Sequence, residues 1–133
     1  MYVQVLTYVE GQDPKEVVLS KLKEAIGKIE VYGDRVLVAT APAREASKGG
    51  VLFTQKAKDE NRFQAKSGLI LKMGEDAFKY NGRYEAKGPH PEVGDWVFYR
   101  TSDSMECGIL GSSCRIILSD LIMGKVSDPD LIW

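Results

Sequence analysis

The chain has 133 residues, 28% of them charged, and a formal net charge of −1. That length suits one domain able to bury about two thirds of its unfolded surface. The balanced charge gives no electrostatic ground for a nucleic-acid or anionic-membrane partner, and no apolar run reaches the ~18 residues of a membrane span.

Met1–Val9 lacks the basic start and apolar core of a secretory signal, so a cytoplasmic location is expected. Rich in Tyr, Val and Thr, it reads as a strand. Gly11-Gln12-Asp13-Pro14 turns the chain. Asp13 is placed to cap a helix, Pro14 suits its first position, and Glu16 completes a capping-box-like start. Val17, Val18, Leu22, Ala25, Ile26 and Ile29 then share one face at helical spacing, with the charged residues mostly elsewhere. The stripe is short and lacks the aromatic anchors of a membrane-surface helix, so packing on the domain or on a neighbouring subunit is expected. Residues 1–28 thus read as a strand–helix extension.

Tyr32-Gly33-Asp34 opens a β-rich run through Val38, and Ser67–Met73 is a second strand closed by Gly74. Between them, Ala41–Lys66 has the polar composition of a loop, and a loop beyond about 12–15 residues is either disordered or functional. Inside it stands Gly49-Gly50-Val51-Leu52-Phe53. Two readings are open: a short strand of the core, or an apolar triplet kept for a partner, with the glycines giving it freedom to rearrange. Six basic residues against three acidic give this loop a net +3, but only Phe53 and Phe63 are aromatic. That charge suits solubility better than nucleic-acid binding.

Farther on, Asn81-Gly82 between Tyr80 and Tyr84 signals a hairpin with a type I′ turn. Val93-Gly94-Asp95 leads into the β-favouring Trp96–Tyr99, and Cys114–Leu118 and Leu121–Val126 follow as further strands. Cys107 and Cys114 flank a turn-like Gly108–Ser113 stretch and could face each other, though a cytosolic chain disfavours a disulfide.

Taken together, the Asp34-Arg35-Val36 strand start, the Gly-Gly-apolar loop, the Gly-ended strand, Val93-Gly94-Asp95 and the Asp120-led last strand resemble the GroES-like co-chaperonins, lids of chaperonin rings. The resemblance covers residues 29–126 and implies an all-β fold, a GroES-like partly open β-barrel with an added N-terminal strand and helix and a C-terminal tail over 127–133. It implies a mobile loop (41–66) that binds a GroEL-like chaperonin ring through Gly49, Gly50, Val51, Leu52 and Phe53. It also implies a roof hairpin (75–88) carrying Tyr80, Asn81, Gly82 and Tyr84. Strands near Ile29–Val38 and Leu121–Val126 would pair across subunits of a homo-heptamer, with Leu121, Ile122, Met123 and Val126 at the interface. The implied function is to cap the chaperonin so that a substrate protein folds inside.

Several features depart from bacterial members: a longer loop after the triplet, Phe53 in its third position, and extensions at both ends. They are similar to a bacteriophage-encoded member, for which a capsid protein is a candidate substrate. The alternative is a small phage β-barrel structural or assembly protein whose apolar loop binds a virion component.

Catalysis is not expected. The single His90 sits between prolines, and Ser102, Ser104, Ser112 and Ser113 read as lying in Gly- and Ser-rich turns without a nucleophile motif. Two cysteines and one histidine are too few for a zinc site, and no Gly-rich phosphate signature precedes a helix, so neither metal nor cofactor is expected.

Overall fold

The chain winds around a six-stranded antiparallel sheet in a computed structural model that describes residues 5–9, 11–44, 66–78 and 90–131. Its strands are β2 (Arg35–Thr40), β4 (Ser67–Met73), β5 (Trp96–Tyr99), β6 (Ser104–Ile109), β7 (Ser112–Leu118) and β8 (Ile122–Val126). They lie in the order β6-β7-β2-β4-β5-β8, so β6 and β8 are the two terminal strands. Two short strands, β1 (Thr7–Tyr8) and β3 (Ala43–Arg44), form a separate parallel pair. The class is the expected all-β one, with a single α-helix, α1 (Pro14–Ile26), among the described residues.

Helix α1 starts where the sequence signals. Asp13 caps it through Oδ1, which accepts from the Lys15 backbone N–H at 3.0 Å, and Pro14 takes the first turn. Of the anticipated stripe, Val18 and Leu22 are fully buried, and Ile26 and Ile29 pack at the margin together with Leu19. They meet Leu37, Ala39, Leu69, Leu71, Trp96 and Cys114. The opposite sheet face holds a second cluster of Val36, Val38, Ile70, Val97, Tyr99 and Ile117, closed by Ala77 and Phe78. Because successive strand residues point to opposite faces, β2 and β4 feed both clusters and are continuously apolar in their middles, Val36–Ala39 and Leu69–Leu71.

Several boundaries differ from the sequence reading. The first strand covers only Thr7–Tyr8 within the described part of Met1–Val9. Ile29–Tyr32 lies outside any strand, and Gly33, at φ +70, turns the chain before β2 begins at Arg35. Ser104, Ser112 and Ser113 are strand residues rather than turn residues: β6 and β7 run up to a two-residue turn, Leu110-Gly111, with φ +51 and +80. Positive φ at both positions is the type I′ geometry that matches the twist of a tight hairpin.

Candidate functional site

The residues flanking 45–65 and those flanking 79–89 lie at opposite ends of the sheet. Antiparallel pairing of β2 with β4 sets Thr40 beside Gly68 at one end and Val36 beside Met73 at the other. At the first end, the Ala41 N–H donates to the Ser67 carbonyl at 3.1 Å, and the Tyr99 N–H donates to the Lys66 carbonyl at 2.9 Å. The Tyr99 hydroxyl lies over Gly68, where a Cβ would stand 3.0 Å from it and 2.9 Å from the Ala39 carbonyl oxygen. Burial pushes the Tyr99 phenol pKa upward, with Arg115 opposing, so the hydroxyl stays a neutral donor.

This end is also tied down from outside the main sheet. The Ala43 N–H donates to the Leu6 carbonyl at 2.8 Å, with Thr7 opposite Ala43 and Tyr8 opposite Arg44. Ala41–Arg44, within the span read as loop, is therefore laid against the body of the domain. Gly49, Gly50, Val51, Leu52 and Phe53 fall outside the described residues.

At the second end, three backbone hydrogen bonds and one to a side chain knit together the turn into β2, the segment after β4 and Ser119. Gly74 N–H donates to the Arg35 carbonyl (2.8 Å), Asp76 N–H to that of Gly33 (2.9 Å), Ser119 N–H to that of Asp34 (2.8 Å), and Phe78 N–H to Ser119 Oγ (3.0 Å). Phe78 takes a left-handed backbone conformation, φ +61, and its ring stacks on the exposed His90 with centroids 5.8 Å apart. Tyr80, Asn81, Gly82 and Tyr84 lie between these two residues in sequence, outside the described part.

The expected interface strand is β8, paired antiparallel with β5 of its own chain. Among the described residues no strand pairs with its outer edge. Leu121 and Ile122 pack against one core cluster and Val126 against the other, whereas Met123 is 67% exposed. In the other segment expected to pair across subunits, Ile29–Val38, residues Arg35–Val38 belong to β2 and are already paired with β4 and β7 of the same chain. Ile29–Gly33 lines an open groove of about 350 Å³ with Met73 and Asp76, and Tyr32 is 71% exposed.

The sequence reading missed a buried polar chain across β2, β7 and β6. Thr40 Oγ1 and Ser113 Oγ are 2.8 Å apart, and Ser113 Oγ donates to Glu106 Oε2 at 3.1 Å, so Thr40 supplies the proton between the two hydroxyls. Arg115, only 5% exposed, donates from Nη1 to Ser104 Oγ at 3.0 Å and places Nη2 3.6 Å from Glu106 Oε2. Buried hydroxyls and a buried guanidinium leave no pattern in sequence, because only the pairing of β6 with β7 makes Glu106 and Arg115 opposite residues.

Cys107 and Cys114 are likewise opposite residues, both as free thiols. Burial pushes both thiols up, Cys114 to about 12, so neither is an activated nucleophile. Among the described residues no group of three His, Cys, Asp or Glu side chains could hold a metal ion.

No curated protein sequence matches the chain. The family model described as Chaperonin 10 Kd subunit (Cpn10) matches residues 28–126, the stretch from just after α1 through β8. With the all-β fold, that match makes the chain a member of the chaperonin 10 family of GroES-like co-chaperonins, non-enzymatic partners of a GroEL-like chaperonin.

Proposed function

We propose that the protein caps a chaperonin ring as a homo-heptamer, docking through Gly49-Gly50-Val51-Leu52-Phe53. The observation that carries this reading is the fixing of Ala41 and Lys66 at one end of the sheet and of Phe78 and His90 at the other. A cap needs one end that meets the chaperonin and another that closes over the chamber, and the two sequence segments read for those roles depart from opposite ends.

The energetics favour many weak contacts. Burying Val51, Leu52 and Phe53 yields ~1.5–3 kcal/mol each, and ordering about six residues costs ~1–2 kcal/mol each. One copy alone therefore docks weakly. Copies in one ring share a single association, so their small surpluses combine into firm but reversible binding. Nucleotide hydrolysis would belong to the chaperonin.

Leu52→Asp tests the reading. A carboxylate in an apolar groove loses the burial energy and adds a desolvation cost. The variant ring should unfold at the wild-type temperature and keep its mass by light scattering, yet fail to bind a GroEL-like chaperonin in the presence of ATP. Unfolding of the variant would place Leu52 in the core, and retained binding by a stable variant would remove these residues from the docking role.

A further inference from the structure

We infer that β1 is a positioning element for docking: it holds the leading root of the segment that carries Gly49–Phe53 and so sets how that segment is presented. The inference rests on the reading of Gly49–Phe53 as the chaperonin-binding residues. Strand β1 lies outside residues 28–126, so it is an addition to the family's domain. Among the described residues its one sheet partner is β3, the last described stretch before the docking segment. Tyr8 and Ala43, on the two strands, are each only 4% exposed.

The clamp is itself anchored. Val9 N–H donates to Gln12 Oε1 at 2.9 Å, and Gln12 N–H returns to the Val9 carbonyl at 3.1 Å, closing a turn directly before the Asp13 cap. Helix α1 then plants Val18 and Leu22 in the core beside Leu69 and Leu71, and Leu6 packs at the margin of the same cluster. A continuous chain of contacts thus runs from the central sheet through α1 and β1 to Ala43.

The consequence for presentation follows from chain length. With β1 in place, Gly49 is five residues along the chain from Arg44, the end of β3, a span of at most ~17 Å. Without it, the anchor is Ala41, bonded to Ser67, and Gly49 is eight residues along the chain from it, a span of at most ~28 Å. Effective concentration falls with about the 3/2 power of tether length, so the longer tether weakens docking about twofold per copy. Copies that dock together compound that factor, so a ring should lose tenfold or more in apparent affinity.

The test uses two variants, a chain lacking residues 1–10, which keeps the Asp13 cap and α1, and full-length Tyr8→Gly. Amide exchange at Ala43 reads the clamp directly, and titration against a GroEL-like chaperonin with ATP reads docking. Ala43 should be protected in the intact protein and exchange at least about tenfold faster in both variants, while Ala39 and Leu69 stay protected. Docking should weaken tenfold or more at unchanged ring mass. Ile117→Ala, in the cluster on the sheet face away from α1, should lower the unfolding temperature and leave docking unchanged. That separates positioning from general stability. Wild-type docking by a variant whose Ala43 exchanges freely would overturn the inference, as would an unprotected Ala43 in the intact protein. Failure of the intact protein to dock would overturn the underlying reading of Gly49–Phe53, a distinguishable result.

Discussion

Gly74 stands where two backbone segments cross with no room for a side chain. A Cβ there would overlap the Gly33 carbonyl oxygen, and both segments are fixed, by Gly74 N–H to Arg35 and Asp76 N–H to Gly33. A methyl group has no flexible neighbour to displace, so the backbone itself must move. Gly74→Ala should destabilise the protein by about 1–3 kcal/mol, read as a lower urea midpoint at unchanged slope. Gly27 is the matched control, with an ordinary φ of −68 and nothing within 4 Å of the point where a methyl would stand. Gly27→Ala should stay within about 0.5 kcal/mol of the parent.

At the scale of elements, α1 is integral to the core although it precedes the family's domain. Leu22 is fully buried against the sheet, so Leu22→Ala should cost about 2–5 kcal/mol. Leu19→Ala, at the margin, should cost clearly less in the same denaturation series. This helix was legible in the sequence because Asp13-Pro14 marks its start and apolar spacing marks its inner face. Strands β2, β4, β5 and β7 were legible as β-rich runs with glycine punctuation. Strand β6 was not, since Ser-Met-Glu-Cys-Gly-Ile has weak β propensity and is held by its pairing with β7. The adjoining turn was read too broadly because Leu110 adopts a positive φ that leucine seldom signals. For the candidate site, the sequence indicated where the 45–65 segment leaves the sheet, but not that β1 reaches back to Ala43. A two-residue parallel ladder between distant segments has no local pattern.

For the whole molecule, the open edge of β8 is the place to test assembly. Removing the strand would also strip Ile122 and Val126 from the chain's own core clusters. Met123 instead points to solvent, so Met123→Asp should leave unfolding of the subunit nearly unchanged while dissociating the proposed ring, with mass by light scattering as the readout. A ring of undiminished mass would remove Met123 from the contact. The burial of β2 and β4 on both faces has a further effect, on alignment errors. A one-residue slip normally sends an apolar set into water. Here it would exchange Leu37 and Ala39 for Val36 and Val38, apolar on either side. Hydrophobicity is thus nearly blind to such a slip. Discrimination falls to contacts that tolerate one alignment only: Gly68 beneath the Tyr99 hydroxyl, Thr40 on Ser113, and Arg115 between Ser104 and Glu106. Misaligned chains would collapse readily and still leave a guanidinium and several hydroxyls buried away from their partners, a cost that sorts them from the native fold.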